Sequence, residues 1–252
     1  MSKKLARLFI LPLYLLTLPF FLSASAGDTV LQGVPVPLPS ALSAAEEKSS
    51  SSSGYYLTPS SLDLSAVPAA PAPGSRADLE DFETIFAWQQ YRTAAQCAAA
   101  REEMSHNFQV FFGAIDPFYD DQAPEVKSFF KNVEKDSTAA HRYLKDVYRR
   151  DRPFLRDARV KPCLPRVKGY AYPSGHTTMA RLFARILSDL VPSRAAEFMA
   201  RADEAALNRL IGGVHHPTDL QAGKALADAL YAELRALPSF NSDMDALRAH
   251  LR

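Results

Sequence analysis

The sequence predicts a single all-α domain, a helical bundle, and two patterns predict it. Val126, Phe129, Phe130 and Val133 recur at i, i+3, i+4 and i+7, and Met179, Leu182, Phe183, Ile186, Leu187 and Leu190 continue the same spacing over three turns. No stretch alternates apolar and polar residues for long enough to make a sheet. A chain of 252 residues, 47% hydrophobic and 23% charged, fills one sizeable globular domain rather than two.

Taken in order, residues 1–26 read as a secretory signal. Lys3, Lys4 and Arg7 form the charged start, Leu8 to Leu22 the apolar run, and Ala24-Ser25-Ala26 the small-x-small cleavage pattern. A retained anchor is the competing reading, but a run of about 15 residues broken by Pro12 and Pro19 is short for a bilayer that needs about 20. No cysteine follows the run until Cys97, which excludes a lipoprotein. The mature protein is expected to be periplasmic or secreted, with no stable membrane insertion after cleavage.

Residues 27–75 form a Pro/Ser/Ala-rich arm too poor in apolar surface to fold alone, with Tyr55-Tyr56-Leu57 and Leu62-Asp63-Leu64 as segments able to dock on the body. Residues 76–252 carry helices expected at about 77–104, 124–134, 137–151, 177–190, 193–211 and 218–236, with a short one near 241–251.

Net charge is +1, and −2 without the first 26 residues, so no nucleic-acid polymer is expected as a partner. Cys97 and Cys163 either pair or stand as separate buried thiols. An oxidising compartment favours the bridge, which would close a loop of about 65 residues and stabilise the fold by about 4 kcal/mol.

Three clusters carry chemistry. Lys145 and Arg152 are seven apart, hence expected on one helix face, with Pro153 ending that helix and aiming Arg152. Standing beside Arg149 and Arg150, and taken alone, they read first as an ordinary solvated basic face. Pro173-Ser174-Gly175-His176 precedes a helix whose first N–H groups can bind an anion, with glycine allowing close approach; the same residues could simply cap that helix. Arg209 is followed by Gly212-Gly213, His215, Pro217 and Asp219. A carboxylate at Asp219 would fix the His215 tautomer and leave the other ring nitrogen a free lone pair. His216 and Asp219 could instead form a helix cap. They could also join His215 in a metal site, but adjacent histidines are expected to point apart and a hard cation wants more carboxylates, so no metal is assigned.

In this order and spacing the clusters resemble the signature of the type 2 phosphatidic acid phosphatase superfamily, which includes vanadium haloperoxidases. The pattern is a lysine, six residues and Arg-Pro; Pro-Ser-Gly-His; and an arginine, five residues, a histidine, three residues and an aspartate. Within it the chain is most similar to the bacterial class A nonspecific acid phosphatases, whose mature domains open with a segment like Tyr56-Leu57-Thr58-Pro59-Ser60-Ser61. Asn208 stands where that family has serine, and His216-Pro217-Thr218 is closer to the wider superfamily.

The resemblance implies a single-domain bundle of the acid phosphatase/vanadium haloperoxidase type, acting on small phosphomonoesters without a cofactor and binding vanadate or phosphate as inhibitors. It implies His215 as nucleophile oriented by Asp219, His176 as proton donor to the leaving alcohol, and Lys145, Arg152, Ser174, Gly175 and Arg209 as holders of the phosphoryl oxygens. A homodimer is likewise only implied. An optimum on the acid side of neutrality follows from a neutral nucleophile and a protonated acid. The rivals are a vanadate-dependent haloperoxidase and a non-catalytic periplasmic phosphate-binding protein.

Overall fold

The computed structural model describes residues 53–252; the expected signal at 1–26 and the arm as far as residue 52 lie outside them. The described residues form an all-α bundle with no sheet, and an isolated antiparallel bridge joins Phe118 to Leu251. Helix α1 spans Arg76–Tyr91, α2 Ala94–Glu102, α3 Phe108–Phe112, α4 Pro124–Tyr148 and α5 Pro153–Arg156. They are followed by α6 (Gly175–Leu190), α7 (Ala195–Ile211), α8 (Pro217–Ala236) and α9 (Pro238–Leu247). None is long and apolar enough to cross a membrane.

Helix α6 is the axis of the bundle, packed between α7 and α8 with α4 alongside. Its buried side chains include Met179, Leu182, Phe183, Ile186, Leu187 and Leu190, the spacing that predicted it. Phe108, Phe118, Phe130 and Phe183 cluster against this helix, and each such side chain taken from water stabilises by about 1.5–3 kcal/mol.

Boundaries differ from expectation where local caps decide. The helix expected over 77–104 breaks at Arg92–Thr93, because Thr93 accepts from Gln96 N while Gln96 Oε1 accepts from Thr93 N, a capping box that starts α2. The two helices expected over 124–151 are one, and it stops three residues earlier, with Arg149 left-handed at φ 45°. Lys145 and Arg152 therefore do not share a helix face. Arg152 is instead the residue before Pro153, extended at the start of α5 (φ −64°, ψ 150°), as the proline ring demands.

Residues 53–75 run against the body. Asp136 Oδ1, buried on α4, accepts the backbone N–H of Tyr55, Tyr56 and Leu57 at 2.7, 2.9 and 2.9 Å, and the Tyr56 ring stands edge-on to Phe240. Cys97 on α2 and Cys163 are joined in a disulfide with Cα atoms 5.9 Å apart.

Candidate active site

The third cluster sits where α7 ends and α8 begins. Helix α7 closes with Val214 N–H donating to Arg209 O (3.2 Å) and Gly213 N–H to Leu210 O (2.9 Å), and Gly213 takes φ 72°, which only glycine adopts without strain. The chain reverses there, and Pro217 opens α8 at once. His215 is thus held in a tight joint, buried, with Nδ1 donating to Asp219 Oδ2 at 3.2 Å. Its Nε2 accepts from Arg152 Nη1 at 2.7 Å. That pairing fixes the proton on Nδ1 and the lone pair on Nε2.

Asp219 serves two purposes at once. Its Oδ2 also accepts from His216 N (2.8 Å) and His216 Nδ1 (3.0 Å), so it caps α8 while orienting His215. The adjacent histidines, expected to point apart, converge on this one oxygen through Nδ1. They part only at Nε2, where His216 accepts from Arg156 Nη1 at 3.0 Å. Burial pushes the Asp219 carboxyl up, but the hydrogen bonds from His215 and His216 outweigh it and hold the group well below its ordinary range. His215 is held well below the usual histidine range by burial and the Arg152 cation, against the pull of Asp219. Both influences favour the neutral ring.

Asp219 Oδ1 accepts from Arg150 Nη1 at 2.7 Å. Arg150 is no solvated surface residue: Nη2 also pairs with Asp78 (2.9 Å) and Asp81 (2.7 Å) of α1, and all four side chains are buried. Arg156 holds Asp78 through both guanidinium nitrogens at 2.7 Å. Thr218 N–H donates to Asp81 Oδ1 at 3.0 Å. Sequence reasoning missed this network. Its signal was available in Asp78, Asp81 and Ile85, which place two carboxylates on the one face of α1 that also carries the buried isoleucine.

Arg152 and Lys145 stand beside His215, and Arg209 beside Arg152 and His176. Arg152 is anchored on carbonyls of two segments, Nε to Gly169 O and Nη1 to Val214 O, both at 3.0 Å. Lys145 Nζ donates to Tyr170 O, and burial followed by the Arg152 charge pulls its pKa down to about 7. Arg209 donates through Nη2 to Ala100 O at 2.7 Å, while its buried Nε has no partner among the described residues and remains available to an anion. Burial brings both arginines to about 10.

Ser174 caps α6, with Oγ accepting from Thr177 N (3.4 Å) and Thr177 Oγ1 (3.0 Å), and Ser174 N donates to Asp219 O at 3.0 Å, which ties the second cluster to the third. Gly175 lies over His141, one turn before Lys145 on α4. A Cβ at Gly175 would come within 2.8 Å of His141 Nε2, so only glycine fits. His176 donates from Nε2 to Glu103 O at 2.7 Å, and its ring lies 4.8 Å from His106 and 5.8 Å from Phe111. In the unliganded site, burial and the Arg209 and His106 neighbours push His176 well below its usual value.

Lys145, Arg152, Ser174, Gly175, His176, Arg209, His215 and Asp219 thus meet at the ends of α4, α5, α6, α7 and α8, and the C-terminal end of α2 supplies the carbonyls on which Arg209 and His176 rest. Among the described residues, no group of three or more His, Cys, Asp or Glu is arranged to hold a metal ion.

Residues 137–239, which include every residue of the three clusters, match the PAP2 superfamily model. The chain is 29% identical over 212 residues to a non-specific acid phosphatase of Salmonella typhimurium, spanning 79% of this chain and 80% of that one. It is 28% identical over 224 residues to an acid phosphatase of Zymomonas mobilis, covering 85% and 84%. It is 27% identical over 204 residues to a non-specific acid phosphatase of Providencia stuartii, covering 75% and 82%. Over the matched segment, which holds all three clusters of the candidate site, the chain is similar to the PAP2 superfamily.

Proposed function

We propose that this protein is an exported acid phosphatase that hydrolyses phosphomonoesters through a phosphohistidine, without a metal. The observation that carries the reading is the polarity of His215: Nδ1–H tied to buried Asp219, and Nε2 presenting its lone pair to the Arg152 and Lys145 cations. A phosphate-binding protein needs the cations. It does not need a histidine held neutral at their centre.

The steps follow from these positions. The ester phosphate enters the cradle of Lys145, Arg152, Arg209, Ser174 and the Gly175 N–H, and its oxygens take over the Arg152 donor that occupies Nε2 in the free site. The lone pair on Nε2 then attacks phosphorus as the P–O bond to the leaving alcohol breaks, and the cations balance the charge on the equatorial oxygens. His176 gives its proton to the leaving oxygen. Because Nε2 is committed to Glu103 O, Nδ1 is the nitrogen that carries the transferable proton. The phosphate's negative charge offsets Arg209 and Arg152, so His176 gains that proton as substrate binds. Water then attacks phosphorus, His176 accepts a proton from it, and the N–P bond breaks to release phosphate and free His215.

Relatives named as non-specific acid phosphatases support the same substrate class for this chain. Hydrolysis of p-nitrophenyl phosphate at pH 5–6, with EDTA, with vanadate and beside His215→Ala, tests the reading. The expected result is activity that EDTA leaves intact, vanadate inhibits and the substitution abolishes. An inactive wild type would favour a binding protein, and an active His215→Ala would mean another nucleophile.

A further inference from the structure

His176 rests on a main-chain carbonyl at a helix end, that of Glu103. Glu103 follows the last residue of α2, at φ −97° and ψ 24°, and carbonyls in the final turn of a helix lack intrahelical donors. What holds this carbonyl in place is the Glu103 side chain. Buried at 5% exposure, it turns away from His176 into α7, where Oε1 accepts from Arg201 and Oε2 accepts from Asn208 Nδ2 at 2.9 Å. Asn208 stands beside Arg209, which grips Ala100 O one turn back on the same helix α2. Consecutive residues of α7 therefore pin the C-terminal turn of α2 at two points. Helix α2 is also fixed by the Cys97–Cys163 disulfide and by Arg101 donating to Cys163 O at 2.8 Å.

We propose that Glu103 is a positioning residue for the proton donor His176, with Arg201 and Asn208 setting its place. This rests on the phosphatase reading and extends it. One residue joins two elements: its carboxylate is locked to α7 while its carbonyl accepts the Nε2–H at the start of α6. The carbonyl commits Nε2 as the donor nitrogen and leaves Nδ1 to exchange protons with the leaving group. It also brings the partial negative charge of a helix C-terminus to the imidazole, which favours the protonated form when the leaving group needs a proton. Asn208 now has a reason. Its amide reaches the carboxylate, which a serine, one atom shorter and with a single donor, would reach less well.

A positioning role is separable from a structural one, because in the first step, which kcat/KM reports, only an ester with a poor leaving group needs the His176 proton. Glu103→Gln puts an NH2 against Arg201 or Asn208 in place of an acceptor oxygen. The experiment compares kcat/KM for an alkyl phosphate, such as glycerol phosphate, with that for p-nitrophenyl phosphate, whose phenolate leaves without a proton. The alkyl ester should lose about tenfold or more, a part of the about 10²–10⁴-fold that a general acid supplies, while the aryl ester stays within about twofold. In a His176→Ala background, Glu103→Gln should change neither. Equal losses on both esters, or a loss that persists without His176, would overturn the assignment. Asn208→Ala, which keeps the Arg201 pair, gives a milder version of the same pattern should Glu103→Gln fail to fold. A wild type that cleaves neither ester would instead remove the phosphatase reading, and this role with it.

Discussion

The two histidines of the site are held in opposite ways. His215 is buried, oriented by a carboxylate, and backed by a network in which Arg150 and Arg156 neutralise Asp78, Asp81 and Asp219. His176 is partly exposed, oriented by a carbonyl, and backed by the lone carboxylate of Glu103. The difference matches the roles proposed for them. A nucleophile needs one tautomer and no proton on its attacking nitrogen, which a fixed, saturated carboxylate ensures. A proton donor must gain and lose charge each cycle, and a full negative charge beside it would hold the proton too tightly. A carbonyl orients without that cost.

The sharpest way to break the contrast is Asp219→Asn. The amide can present its NH2 to His215 Nδ1, which forces the ring proton onto Nε2, and it weakens the Arg150 pair. Turnover should fall by about 10⁴-fold on aryl and alkyl esters alike, as when the orienting carboxylate of a hydrolytic triad becomes an amide. A loss confined to alkyl esters would mean that His215 and His176 have exchanged roles.

Stability should divide along the same line. Arg150→Met leaves three buried carboxylates short of their shared cation, and removing one partner of such a network costs about 3–5 kcal/mol. On the other side, Arg201→Met breaks a pair whose arginine is partly exposed and should cost about 1 kcal/mol or less. Urea midpoints of the two variants would check this, and comparable losses would show that the two supports are equally deep.

The residues that converge at the candidate site were legible in the sequence, because each cluster sets particular residue types at fixed spacing: a histidine four before an aspartate, a glycine in a cap. Their supports were not. Arg150 lies in a run of basic residues that reads as solvated surface, and nothing local says that it points inward at three carboxylates from two other helices. Glu103 was hidden differently, since the break at Thr93 that makes α2 a separate strut depends on a cap inside an otherwise continuous helical pattern. Helix α6 was read well because its buried stripe is a property of the helix itself. The end of α4 was not, since the left-handed turn at Arg149 falls at a residue with no glycine to announce it.

The remaining effects are pH-dependent and smaller, and they oppose each other. Lys145, with its pKa down to about 7, loses its charge as pH rises through neutrality, so kcat/KM should decline above about pH 7. Lys145→Arg would keep the cation and flatten that limb; an unchanged limb would place the titration elsewhere. Below neutrality the limit is the fold. Burial, then the Lys145 and His106 neighbours, push His141 down to about 3 from an ordinary 6.5. Between those values the unfolded chain binds a proton that the folded protein refuses, so stability is lost as pH falls, by about 1.4 kcal/mol per pH unit at most. Because His141 lies beneath Gly175, that acid sensitivity belongs to the candidate site itself. His141→Gln should therefore make the urea midpoint less dependent on pH between 6 and 4, even if the midpoint at pH 7 is lower. An unchanged slope would mean that His215 and His176, also held below their usual values, carry the acid sensitivity, and that the two sides of the site share it.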